Sequence, residues 1–153
     1  MRTASVSPRV MTRSRLGAGI VGGLVGGLAF GVLMHATGVI PMVAMLVGSK
    51  TVLVGWLVHL AISAFIGATF VALFGRYATS VARSTGIGLG YGLVWWVLGA
   101  LILMPARLGM DVFVVNTMAW RSLMGHLLYG LLLGAVYALV LPRPWRRRAA
   151  TAL

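Results

Sequence analysis

The chain has 153 residues, of which 60% are hydrophobic and 9% are charged, and its mean hydropathy is +1.01. Soluble domains carry about 25% charged residues, so this composition excludes a water-soluble globular protein and predicts an integral membrane protein. The net charge of +12 lies in short tails and loops between apolar runs, a pattern that is typical of membrane topology and not of nucleic-acid binding.

Residues 1–15 are polar and contain four Arg, which predicts a short disordered cytoplasmic tail. The apolar run 16–39 predicts the first span, since about 20 residues cross the hydrocarbon core. Glycines recur every fourth residue in this run, at Gly19, Gly23, Gly27 and Gly31. Such series let helix backbones approach closely in lipid. His35 occupies the next position in this register. It is either a polar residue near the membrane boundary or a ligand or proton-handling group on a packed face.

The loop 38–51 is unusually apolar, and we expect it to fold back on the bilayer surface or to dip into it. The second predicted span is 52–74, and a polar connection leads to the third, at 86–104. Pro105 is expected to end the third span, because proline stops a helix.

The segment Asp111–Trp120 predicts a short surface helix with Asp111 as its N-cap. The fourth span is predicted at 120–141, where prolines follow, and residues 142–153 form a second basic tail. The transmembrane domain is therefore expected to cover residues 16–141.

Basic residues are distributed unevenly between the two sides of this four-span arrangement. The N-terminal tail, the middle loop and the C-terminal tail hold 4, 2 and 4 of them, whereas the other two loops hold three. The positive-inside rule then places both termini in the cytoplasm, and we expect a multi-pass protein of a prokaryotic inner membrane.

Two stripes of small residues, each with one histidine, suggest an internal repeat. Gly55, His59, Ser63 and Gly67 form the first stripe, and Ser122, His126, Gly130 and Gly134 form the second, 67 residues later. The first and third spans align less clearly, because the offset of 67 suits Gly19 and Gly86 but an offset of 64 is needed for Pro41 and Pro105.

The fold class predicted is all-α integral membrane, with four transmembrane helices as two tandem, parallel two-helix repeats in a glycine-rich packed bundle. His59 and His126 would then lie at equal depth in the outer half of the bilayer. If the second and fourth helices meet, the two imidazoles can approach each other.

No Asp or Glu lies in any predicted span, so carboxylate-based proton or sodium coupling is not expected. The chain has no cysteine, which excludes thiolate sites, and no nucleophile–base or phosphate-loop motif, so no enzymatic activity is predicted.

Three interpretations stay open. A structural or accessory protein would use its histidines for hydrogen bonds across packed helices. A second interpretation is a passage for a small solute or ion along the repeat axis, with the histidines as polar gates. Because four spans make a narrow bundle, this passage would need a dimer. Alternatively, His59 and His126 would ligate haem b, or copper together with His35 and nearby Met.

The expected partners are the bilayer, anionic lipid headgroups at the basic tails, and a second copy of the chain or another membrane protein. No nucleic-acid partner is expected. The patterns Gly-Tyr-Gly-Leu-Val-Trp-Trp at 90–96 and Gly-His-Leu-Leu-Tyr-Gly at 125–130 resemble small bacterial four-span membrane proteins of uncharacterised function. This resemblance covers most of residues 16–141 and implies four helices and an inner-membrane location.

Overall fold

The computed structural model describes the backbone of residues 8–141 and the side chains from Ser14 onwards. Four helices in this range are long and apolar enough to cross a membrane, at Ser14–Ala36, Val52–Phe74, Val81–Arg107 and Thr117–Val140. The described range is helical apart from its loops, so the prediction of an all-α multi-pass membrane protein is confirmed. Residues 1–7 and the basic tail 142–153 lie outside the described range.

The first helix, α1, runs from Pro8 to Ala36 and so extends into the segment predicted as a disordered tail. Proline suits a helix start, because its missing N–H would have no intrahelical partner there. At the other end, the Thr37 hydroxyl donates to the carbonyl of Leu33 at 2.9 Å, and Gly38 takes a φ of 72° that turns the chain.

The apolar loop that follows contains a short helix, α2, at Ile40–Met45. Ile40, Val43 and Ala44 are buried, and α2 packs against the next long helix near Gly55. A Cβ at Gly55 would collide with the Ile40 carbonyl. This part of the loop is thus covered by the protein itself, and only its remainder is free to meet the bilayer surface.

Helix α3 spans Val52–Phe74, the range predicted from the sequence, and the Thr51 hydroxyl caps it by accepting from the Val54 amide at 3.3 Å. Helix α4 spans Val81–Trp95 and begins five residues before the predicted start at Gly86. The difference arises because Ser80 caps the helix, accepting from the Arg83 amide at 3.2 Å. A polar first turn therefore precedes the apolar run.

The third span does not stop at Pro105. Helix α4 continues as a π-helical segment, Trp96–Leu103, and then as a short helix, α5, at Met104–Arg107. Proline cannot donate to the carbonyl four residues earlier, which here belongs to Leu101. That carbonyl accepts from the amide of Phe113 at 2.8 Å, so the following loop supplies a hydrogen bond that Pro105 cannot.

Helix α6 spans Thr117–Val140. The predicted surface helix with an Asp111 cap is wrong: the cap is Asn116, whose Oδ1 accepts from the Ala119 amide at 3.0 Å. Residues 112–115 are Val, Phe, Val and Val, which have low helix propensity. Phe113 even adopts a φ of 60°, so this stretch forms a loop.

Helix α1 lies between α3 and α6 and packs along both, while α4 packs along α6 and meets α3 only briefly. The loops 37–51 and 108–116 lie at one end of the bundle. The start of α1 and the turn 75–80 lie at the opposite end, which we call the basic end. The core at the basic end is aromatic: Phe70 lies 5.6 Å, centroid to centroid, from the rings of both Tyr91 and Tyr137.

At several glycines an added Cβ would meet the backbone of a neighbouring long helix. A Cβ at Gly23 would collide with the Ser63 carbonyl of α3, and one at Gly26 would lie 2.7 Å from the Tyr129 carbonyl of α6. On α4, a Cβ at Gly88 would collide with the Gly130 carbonyl. Backbone atoms thus meet backbone atoms at each of these contacts, and no side chain fits between them.

Candidate polar site around Phe30

His59 joins two helices through its ring. The side chain is 7% exposed, and its Nε2 lies 2.9 Å from the carbonyl oxygen of Gly27 on α1. A carbonyl only accepts, so Nε2 carries the proton and Nδ1 carries the lone pair of the neutral imidazole. A Cβ at Gly27 would collide with the Ser63 hydroxyl, so the glycine keeps α1 close enough for this bond.

His126 makes a different bond, within its own helix. Its Nδ1 donates to the Ser122 carbonyl at 2.8 Å, and the Ser122 hydroxyl lies 3.3 Å from the same nitrogen. The lone pair therefore sits on Nε2, on the side of the π-helical segment, where a Cβ at Gly99 would lie 3.9 Å from that nitrogen.

Phe30 on α1 brings the two histidines into one cluster. Its ring lies edge-on to His59, with centroids 5.6 Å apart, and to His126, with centroids 4.9 Å apart. Helix α1 packs along both the second and the fourth span, and its Phe30 contacts the imidazole of each. Gly125 makes room for this ring, since a Cβ there would collide with it.

His35 lies at the outer edge of this cluster. It is exposed, and its Nδ1 accepts from Trp56 Nε1 at 3.4 Å. The Trp56 ring also lies 6.3 Å from the ring of His59. Ring contacts therefore connect the three histidines, in the order His35, Trp56, His59, Phe30 and His126.

The predicted packing residues face different neighbours. Gly19, Gly23 and Gly27 meet α3 at Ser63 and Gly67, and Gly31 meets Trp56 and His59. Gly130 and Gly134 meet α4 instead, at Gly88 and Ser84. The two histidine-bearing stripes therefore do not face each other.

Sequence reasoning missed Phe30 and three tyrosines. The Tyr129 hydroxyl donates to the Ser63 carbonyl at 2.8 Å, and the Tyr137 hydroxyl reaches the Gly75 carbonyl at 3.4 Å. The Tyr91 hydroxyl lies 2.7 Å from that of Thr69. All three bonds end on α3 or on the residue after it. The only signal in the sequence was the placement of tyrosines inside apolar spans.

Among the described residues, no three His, Cys, Asp or Glu side chains come together as a metal-binding group. The site offers isolated imidazole nitrogens, tyrosine hydroxyl groups that are hydrogen-bonded to backbone carbonyls, and aromatic rings. No protein-family model, curated protein or solved structure matches this chain.

Proposed function

We propose that this chain is a structural or accessory membrane protein, and that its histidine pair holds the bundle together in the half away from the basic end. One observation carries the proposal: both imidazoles bond to backbone carbonyls and pack against the same Phe30 ring. Both of these imidazoles thereby have a local structural partner.

The physical reason is the cost of polar groups in lipid. An unpaired polar group in hydrocarbon costs several kcal/mol, whereas a side-chain hydrogen bond between helices contributes about 0.6–2 kcal/mol. The bond from His59 to the Gly27 carbonyl satisfies the imidazole and fixes α1 against α3 at the same time.

We also propose that the bundle is an internal repeat with glycine-based packing. A shift of 67 residues takes Gly67 to Gly134, and a shift of 65 takes Gly19 to Ser84 and Gly23 to Gly88. With these shifts, the contact of Gly23 with Ser63 corresponds to the contact of Gly88 with Gly130. This correspondence supports an offset of 65 for the first and third spans, between the 64 and 67 that the sequence allowed.

The proposed setting is a prokaryotic inner membrane, with both termini and the basic end in the cytoplasm. The distribution of Arg and Lys between the loops supports this orientation. Anionic lipid headgroups are the proposed partners of the basic end. The proposed protein partner in an accessory role is another membrane protein or a second copy of the chain.

Metal binding is a second candidate, and the tautomers favour it. His59 Nδ1 and His126 Nε2 each keep a lone pair, and imidazole is a good ligand for copper. Phe30 packs edge-on against both rings, so part of the space around the two imidazoles is already filled. Passage of a solute through a dimer stays an expectation that no contact of the described residues favours.

The His59→Gln/His126→Gln and His59→Ala/His126→Ala double variants separate the two roles, with His35→Gln as the control at the exposed edge. In a structural role, glutamine still donates to carbonyls, so its variant keeps the thermal stability of the wild type. The alanine variant loses about 1–3 kcal/mol. A Soret band or stoichiometric copper in the purified wild type that the glutamine variant lacks would refute the structural role and establish the second candidate.

A further inference from the structure

A groove opens at the basic end between α1 and the end of α3. Its volume is about 560 Å³, and it is lined by Arg15, Leu16, Val71, Ala72, Leu73, Gly75 and Arg76. Two guanidinium groups therefore stand beside an apolar wall, at the level where the hydrophobic part of the bundle ends.

The cations in this groove have no acidic side chain beside them. Arg15 Nε is buried and makes no hydrogen bond within the described part of the chain. The guanidinium of Arg76 lies 4.4 Å from the centroid of the Tyr77 ring, which orients it without neutralising it. The sequence holds one acidic side chain, Asp111, and it lies in the loop at the opposite end of the bundle. No side-chain carboxylate of this chain can therefore neutralise the two arginines.

We propose that this groove binds one anionic phospholipid, with its phosphodiester on Arg15 and Arg76 and an acyl chain along Leu16, Val71 and Leu73. Guanidinium groups present a planar fork that matches phosphate oxygens. A zwitterionic lipid fits less well, because its own ammonium group would enter a site that already holds two cations. The assignment deepens the proposed contact of the basic end with anionic lipid, on which it rests.

The test is native mass spectrometry of the full chain, released from detergent that contains equal amounts of phosphatidylglycerol and phosphatidylcholine. We expect the wild type to retain one phosphatidylglycerol in preference to phosphatidylcholine, and Arg15→Gln/Arg76→Gln to lose that preference by about tenfold. Arg76→Gln alone changes an exposed side chain, so it keeps the fold and shows an intermediate loss.

Arg83→Gln is the matched control, because Arg83 lies at the same end on α4 but not in the groove. It should keep the wild-type preference. Equal preference in the wild type and in the folded Arg15→Gln/Arg76→Gln variant would overturn the groove but leave the broader role of the basic end. No preference in the wild type would overturn both. Displacement of the lipid by millimolar inorganic phosphate would show a free-anion site and overturn the lipid assignment.

Discussion

At the scale of single residues, the bundle relies on polar side chains that bond to the backbone of a neighbouring helix. His59 bonds to the Gly27 carbonyl, and Tyr129 bonds to the Ser63 carbonyl. Both carbonyls already lie in helices, so these bonds use a second lone pair of an oxygen without breaking the helix. They fix the rotation and depth of one helix against the next, which apolar packing in lipid leaves loosely defined.

Tyr129→Phe tests the value of such a bond. The Tyr129 side chain is 3% exposed, so phenylalanine fits the same space and only the hydroxyl is lost. We expect the free energy of unfolding to fall by about 1 kcal/mol. Tyr77→Phe, in the turn after α3, is the control and should be neutral. The measurement is equilibrium unfolding in mixed micelles, and equal stability of the two variants would contradict a stabilising role for the bond.

At the scale of helices, α1 has two faces of small residues because it has two long neighbours. Gly19, Gly23 and Gly27 meet α3, whereas Gly22 and Gly26 meet α6. Helix α4 has one such face, toward α6, and presents Tyr91 toward α3. The glycines of α1 let it pack closely on α6. Helices α3 and α4 lie further apart, and the rings of Phe70, Phe74 and Tyr91 fill the space between them.

Gly88→Ala and Gly90→Ala form a matched pair on α4. A Cβ at position 88 would collide with the Gly130 backbone, while a Cβ at position 90 meets nothing within 4 Å. We expect Gly88→Ala to cost about 1–3 kcal/mol, because a rigid backbone must move aside. Gly90→Ala should be neutral or slightly stabilising, since alanine favours helix. Thermal unfolding in the same detergent compares them, and a loss of stability at position 90 as large as at position 88 would contradict the packing.

At the scale of the whole molecule, large apolar side chains cover the outside of the bundle. Leu53, Leu57 and Phe65 on α3 are 60–70% exposed, as expected of a surface that meets lipid. The loops at the end away from the basic end are also apolar on their outer side, with Met110 and Phe113 more than half exposed. The apolar surface therefore extends from the spans onto this end of the molecule.

The proposed orientation can be tested with single cysteines, because the natural chain has none. In intact cells, a membrane-impermeant maleimide should label Met110→Cys and should label Ala82→Cys, at the basic end, only after permeabilisation. Both positions are exposed, so reactivity reports on the side of the membrane. The reverse pattern would place the basic end outside.

The sequence by itself determined the four spans, because the length and the composition of an apolar run are local properties. The range of α3 followed directly from the sequence. Helices α1 and α4 begin before the predicted spans, because polar first turns, opened by Pro8 and capped by Ser80 respectively, extend the helix beyond the apolar run. Pro105 does not end the third span as predicted. The amide of Phe113 bonds to the Leu101 carbonyl, to which proline cannot donate, and the helix continues to Arg107.

Only the tertiary structure decided which helices are neighbours. A stripe of glycines fits any backbone that approaches it, so the stripe at Gly130 did not reveal that its partner is α4. The sequence singled out His59, His126 and His35, yet it did not indicate that Phe30 of α1 contacts the first two. The contact of Phe30 with both imidazoles depends on residues far apart in the chain, and no local pattern encodes it.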